Sequence, residues 1–266
     1  MNYKLLFPTY RNRYLFIKEN LAEFGEKTFS KALNLGMGEG DYDPMIVKNC
    51  GKLIGCDINE NDVNFARSLN EGTPNLTYQV DNALGLSFKT NSFDLIVSVD
   101  VMEHVGKPER MTEEIARVLK SGGVAFVTFP QIHFPVTYDP INRFLSYFSK
   151  NKISQGAYAF GHEYLIDGDE FKKWAEKYGM TVIKEKNLSG YFIGLLEMYW
   201  TGIIQSIFKE NSGNISGETE KIMKLRPSLS EPFLARIFTD VIIKIDYFLF
   251  KNTKHSVGKG FVVRKN

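Results

Sequence analysis

Lys31–Asp41, KALNLGMGEGD, is a short apolar run that breaks into three alternating glycines. Ala32, Leu33 and Leu35 read as the end of a buried strand, and Gly36, Gly38 and Gly40 as the turn after it. A backbone without Cβ reaches positive φ and lets a ligand lie against the main chain. A strand feeding such a turn and then a helix is the nucleotide-site geometry of open α/β sheets, with the ligand beyond the strand's carboxyl end. Taken alone the glycines are weak evidence. They gain weight because acids recur at the ends of the strands that follow.

Those strands read outward from the glycine turn. Lys52–Asp57 ends in Asp57, Leu76–Val80 is followed by Asp81, and Phe93–Val99 by Asp100. Between them, Tyr42–Cys50 is a short helix, and Asn59 caps a second helix that runs through Leu69. Pro108 opens a third helix through Leu119, stopped by Gly122, and Val124–Phe129 is a fifth strand. Ahead of the glycine turn, Tyr14, Leu15, Ile17, Leu21 and Phe24 recur at helical spacing within Tyr10–Phe24. Helices of this length between strands require parallel pairing with right-handed crossovers, hence a doubly wound α/β sheet covered on both faces. Beyond Pro130 the alternation stops. Residues 130–166 form an aromatic insertion, then come a helix at Glu170–Tyr178, a sixth strand at Thr181–Glu185 and a seventh at Gly260–Val263. The roughly seventy residues between the last two strands far exceed an ordinary connection, so 188–258 reads as a helical cap inserted before the last strand. The whole of 1–266 is one domain on this reading.

Composition excludes some partners. With 33 basic and 31 acidic residues the formal charge is +2, giving no overall drive toward nucleic acid. Cys50 and Cys56 make no disulfide framework and fit a reducing, cytoplasmic setting. The opening MNYKLLFPTYRNRY lacks the long apolar segment of a secretory signal. GMGEGDYD carries no phosphate-binding lysine, which argues against a triphosphate ligand. Glu39, Asp41, Asp57, Asp81 and Asp100 instead form an acidic rim suited to a cationic adenosine ligand. Asp57 can accept both ribose hydroxyls, and Asp81 can accept from an adenine amino group. The competing explanation, that strand-end acids are only caps, covers one of them more easily than a series.

The runs LNLGMGEG, IGCDIN, VDNALGLSF, FDLIVSVDVMEHV and ARVLKSGGVAFVTFP resemble the Rossmann-type S-adenosylmethionine-dependent methyltransferases, closest to the ubiquinone/menaquinone and small-molecule group. The likeness covers Lys31–Pro130, and the last two strands fit the family's antiparallel closing hairpin, for seven strands in all. It implies that Gly36, Gly38 and Gly40 meet the methionine part of S-adenosylmethionine. Asp57, with Ile58 after it, holds ribose; Asp81, with Asn82, meets adenine; and Asp100 faces the glycine turn across the switch point. Asn34 stands where the family usually has an acid. The implied chemistry is in-line attack on the sulfonium methyl, with the protein supplying orientation and, for an oxygen acceptor, a base. His104, beside Glu103, is nearest the methyl, and His133 and His162 come from the aromatic insertion. The three histidines are the candidate bases. Asp100, Glu103 and His104 also have the spacing D-x-x-E-H, similar to the E-x-x-E-H of metal-dependent members, although E-H-V occurs in metal-free relatives too; no metal ligands are assigned.

Tyr191–Phe208 and Phe233–Phe250 are apolar at helical period, the first with Gly194, Glu197, Thr201 and Gln205 in one stripe, the second with Arg236, Asp240 and Lys244 in i, i+4 steps. Their charges argue against membrane spans. They read either as a cap packed on the sheet or as helices resting in a lipid interface at a membrane's inner face. Together these features predict a methyltransferase acting on a small acceptor, hydrophobic or lipid-linked, with O-methylation preferred. The alternatives are a glycan or peptide acceptor, or a methyltransferase-like module that binds without turnover. An NAD-dependent enzyme would share the acid after the second strand but not the acidic rim.

Overall fold

The computed structural model describes residues 2–25, 28–132, 165–194, 227–230, 233–254 and 256–266, with 144, 147, 148 and 196 as isolated positions. Seven strands form a single sheet in the order β3-β2-β1-β4-β5-β7-β6. They are β1 (Phe29–Leu35), β2 (Cys50–Asp57), β3 (Leu76–Val80), β4 (Phe93–Val99), β5 (Leu119–Pro130), β6 (Met180–Ser189) and β7 (Gly258–Lys265). The first five run parallel, with Ala32 level with Leu53 on one side and Leu95 on the other. β7 is antiparallel to both of its neighbours. The order reverses between β1 and β4, which puts a ligand crevice at the carboxyl ends of those strands.

The central strands alternate between two cores. In β5, Val124 and Phe126 face one side while Ala125, Val127 and Phe129 face the other. Helix α1 (Pro8–Phe24) brings Phe16, Ile17 and Leu21 to the first side, joined by Ile46 of the short α2 (Asp43–Ile46). Gly260 of β7 makes this possible, because a Cβ there would lie 2.7 Å from the Phe16 ring. Helix α4 (Pro108–Val118) and helix α5 (Gly168–Lys177) cover the other side through Met111, Ile115, Phe171 and Ala175. The rings of Phe129, Phe171 and Phe261 meet pairwise at 4.9–5.4 Å. Helix α3 (Glu60–Leu69) packs Val63 and Ala66 against Met37 and Tyr78, and the Asn59 side chain caps it by accepting from Asn61 N–H at 3.0 Å.

The seven strands, the parallel first five and the antiparallel closing edge match the sequence expectation, and the differences lie at element ends. β5 begins at Leu119 rather than Val124, because Leu119 already pairs with Phe93 across a bulge. β6 runs on to Ser189, since its residues keep pairing with β7 as far as Gly258. The Tyr42–Cys50 helix shortens to α2 and a 3-10 turn at Val47–Asn49, and Cys50 joins β2. The base of the aromatic insertion is closed by a bridge between Gln131 and Ile166. Most of that insertion, and most of Tyr191–Phe208, lie outside the described residues. The second cap helix is present as α6 (Phe233–Phe250). Among the described residues, no helix is long and apolar enough to cross a membrane.

Candidate active site

The glycine turn leaves β1 with Gly36, Gly38 and Gly40 at φ of 68°, 54° and 73°. Gly36 and Met37 both donate their N–H to the Cys56 carbonyl, at 2.8 and 3.1 Å, which fastens the turn to β2. A side chain at Gly36 would run into the Val101 methyl groups, whereas the space above Gly38 is open. The Gly38 N–H donates to Asp57 at 2.9 Å, and the Asn59 N–H donates to the other carboxylate oxygen at 2.9 Å. Asp57 is thus held by two backbone amides while each oxygen keeps a lone pair for a ligand. Burial nevertheless raises its pKa above the ordinary carboxylate value, against the pull of those amides.

Beyond Asp57, Ile58 and Val80 are 68% and 48% exposed at the ends of β2 and β3. Two bare apolar side chains beside a crevice suit a flat ring such as adenine. Asp81 is engaged by its own loop, accepting from Asn82 N–H, from Ser87 N–H and hydroxyl, and from the Gln79 amide. Asn82 in turn accepts from Leu84 N–H at 2.9 Å. Both therefore shape the loop that follows β3.

Asn34 does not stand alone under the glycine turn. It donates to Asp43 at 2.7 Å, the Tyr78 hydroxyl donates to the other Asp43 oxygen at 2.8 Å, and Asn70 donates to Tyr78 and to the Gly40 carbonyl. Where the family resemblance would put an acid at 34, the Asn34 amide instead meets an acid of α2, Asp43. Asp43 is fully buried, and burial pushes its pKa up to about 7.

The acidic rim is not a bare array of negative charge. Lys4 lies 2.8 Å from Glu39 and 3.5 Å from Asp41, and Asp41 also accepts from Asn2 and Tyr10. Arg13 of α1 pairs with Asp100, whose other oxygen accepts from Thr128 at 2.8 Å. Asp100 itself sits at φ 51°, in the left-handed region, with its N–H donated to Thr128. The chain ahead of the first strand thereby closes one side of the crevice. Apolar spacing alone did not reveal this. The available signal was Arg13 three and four residues before Phe16 and Ile17, on the helix face that must be buried.

His104 lies in the turn Met102–His104 beyond β4, partly exposed, with Nε2 3.9 Å from Glu103. Glu103 is wholly buried, and among the described residues neither of its oxygens accepts a hydrogen bond. Burial, reinforced by the nearby Asp100 charge, pushes its pKa well above the usual carboxylate range. Asp100, Glu103 and His104 do not converge, and no group of three or more metal-ligating side chains occurs among the described residues. His133 and His162 lie outside those residues.

Residues 33–127 match a family model described as a methyltransferase domain. A ubiquinone/menaquinone biosynthesis C-methyltransferase, UbiE, of Hydrogenovibrio crunogenus is 37% identical over 101 residues, 36% of this chain and 40% of the relative. A ubiquinone biosynthesis O-methyltransferase of Coxiella burnetii is 27% identical over 152 residues, 57% of this chain and 63% of the relative. The chain thus spans less than two thirds of these curated relatives. Among solved structures, phosphoethanolamine N-methyltransferase 2 of Haemonchus contortus with S-adenosyl-L-methionine superposes with a TM-score of 0.59 at 18% identity, covering 96% of this chain and 52% of that one. The cyclase SpnF superposes at 0.58 and 15%, covering 94% of this chain and 80% of that one, so the shared architecture by itself does not dictate a reaction. Residues 33–127 thus match a methyltransferase domain, and the strand order and the glycine turn with Asp57 around that match have the architecture of the class I S-adenosylmethionine-dependent methyltransferases.

Proposed function

We propose that this chain transfers a methyl group from S-adenosylmethionine to a small acceptor, hydrophobic or lipid-linked, with oxygen as the preferred methylated atom. The observation that carries the cofactor side is the Asp57 carboxylate held between the Gly38 and Asn59 amides at the mouth of the crevice. The open space over Gly38 and the bare faces of Ile58 and Val80 fit the same ligand. In this reading Asp57 binds the ribose hydroxyls, Ile58 and Val80 flank the adenine, and Asp81 and Asn82 keep their loop in place beside it. The turn Gly36–Gly40 receives the methionine part, with Asn34 positioning it from beneath through Asp43. Asp100, fixed by Arg13 and Thr128, presents a carboxylate opposite the glycine turn. When bound, the cofactor supplies an already activated methyl group, so the chain's tasks are to bind, to orient and to exclude water.

On the acceptor side His104 is the described group best placed to take a proton from a hydroxyl, with His133 and His162 as further candidates from the insertion. The relatives named for ubiquinone biosynthesis support a phenolic or prenylated acceptor. The test is S-adenosylhomocysteine formation with a panel of short-chain prenylated phenols, followed by mass spectrometry of the product. Methyl gain on oxygen supports the reading. Tight S-adenosylhomocysteine binding with no turnover on any acceptor would point to a binding module, and no binding at all would remove the cofactor assignment.

A further inference from the structure

Helix α6 sits with its polar side inward. Thr239 and Asp246 are 3% and 2% exposed, whereas Phe238 and Phe248 are 71% and 76% exposed. The inward contacts are specific. Thr239 donates to the Leu6 carbonyl, Asp240 pairs with Arg11, and Asp246 accepts from the Gly190 and Ile193 amides. These fix the rotation of the helix about its axis, so the outward face is imposed by the fold. That face carries Ile237, Phe238, Val241, Ile245, Phe248 and Leu249, all about half exposed or more. At 100° per residue they occupy one continuous arc of roughly 120° along a helix about 27 Å long. An apolar stripe of that extent turned to solvent calls for a non-aqueous neighbour.

Charge identifies the neighbour. Lys244 borders the arc, and Lys251 and Lys254 follow the helix, all three exposed and with no ion pair to a described residue. Lys251 and Lys254 also line a crevice of about 640 Å³, whose other charged walls are Lys172, Lys259, Asp167, Asp169 and Glu185, at the end of the sheet where β5 finishes. Thr128 of the same strand holds Asp100. The lysine end of α6 and the site end of the sheet therefore coincide. We infer that α6 docks this chain on an anionic phospholipid surface, lying in the interface with its Phe238–Phe248 face in the acyl boundary and Lys244, Lys251 and Lys254 among the headgroups. A helix of this length with a one-sided apolar face lies along a membrane rather than across it, and basic side chains beside it gain from anionic lipid. The inference stands independently of methyl transfer.

Flotation of the full chain with phosphatidylcholine vesicles, with and without phosphatidylglycerol, tests it. The chain should float with the phosphatidylglycerol vesicles and be released as salt is raised. Phe248→Asp and, separately, Ile245→Asp should each lower the bound fraction roughly tenfold, because a charge in the apolar face is expelled from the acyl boundary. Lys251→Glu with Lys254→Glu should abolish the preference for phosphatidylglycerol and spare the residual binding to phosphatidylcholine. Melting midpoints and S-adenosylhomocysteine affinity of the two Asp variants should equal those of the parent, which separates loss of docking from loss of the fold or of the cofactor site. A parent chain that stays in the lipid-free fraction at low salt overturns the inference. So does vesicle binding unchanged by both Asp variants. A dimer in sedimentation that Phe248→Asp splits, without vesicle binding, would make a second copy the occupant and also overturn it.

Discussion

Asp43, fully buried, and Asp57, half-buried, flank the same glycine turn and have different tasks. Asp57 keeps lone pairs facing the crevice, so Asp57→Ala removes charge-assisted contacts worth on the order of 1.5–3 kcal/mol per hydrogen bond. Calorimetry should show S-adenosylhomocysteine binding weakened by about tenfold or more, since each 1.4 kcal/mol is about a factor of ten. Among the described residues the Asp43 carboxylate accepts from the side chains of Asn34 and Tyr78, and it has a folded pKa of about 7, against an ordinary 3.8. The folded state therefore holds a proton that the unfolded state releases between those two values. Stability contributed by this group is complete below pH 3.8 and is lost as pH rises toward 7. Thermal unfolding at about pH 5 and about pH 8 should show a smaller drop for Asp43→Asn than for the parent, because an amide does not titrate. Equal drops would mean that Asp43 is ionised throughout. The glycines and Asp57 were legible in the sequence because their spacing is local. Asp43 was not, since its value as an acid depends on Tyr78 and Asn70, which only folding brings beneath Gly40.

At the scale of elements, α1 does more than cover the sheet. Its Arg13, 3% exposed, is the cation that holds Asp100, and Tyr10 on the same helix reaches Asp41. Arg13→Ala would leave a carboxylate in a left-handed backbone conformation without its counter-charge. The expected loss is on the order of 1–3 kcal/mol, less than for a fully buried pair because Asp100 is 30% exposed. Denaturant melts measure that loss, and weaker S-adenosylhomocysteine binding should accompany it; an unchanged midpoint would show that Thr128 alone suffices to hold Asp100. Helices with local signals were readable to the residue, as Asn59 before Glu60–Leu69 and Pro108 at the start of α4 illustrate. The orientation of α6 was not readable. Its sequence shows an apolar helix with Arg236, Asp240 and Lys244 in register. That Thr239 and Asp246 face inward follows from partners at Leu6, Gly190 and Ile193, far away in the chain.

For the whole molecule, the sheet's parallel half was legible because β2, β3 and β4 each end in or are followed by an acid and helices separate most of the strands. Its antiparallel edge was legible only through the family resemblance, as a closing hairpin of the last two strands, since nothing local states that β7 enters between β5 and β6. Val262, 1% exposed and paired with Phe126 and Lys184, sits in the middle of that edge. Val262→Asp buries an unpaired charge and should cost more than about 4 kcal/mol, the range of severe core lesions. If the sheet is one cooperative unit, circular dichroism and S-adenosylhomocysteine binding should fail together, although Val262 lies outside the cofactor crevice. Retained binding would mean that the parallel half stands by itself. The place of β7 also sets a schedule for synthesis. A ribosome delivers β6 long before the strand that joins it to β5, so the nascent chain must hold an open slot through the whole of 190–257. Until residue 265 has cleared the exit tunnel, β5 offers a bare hydrogen-bonding edge to any passing strand.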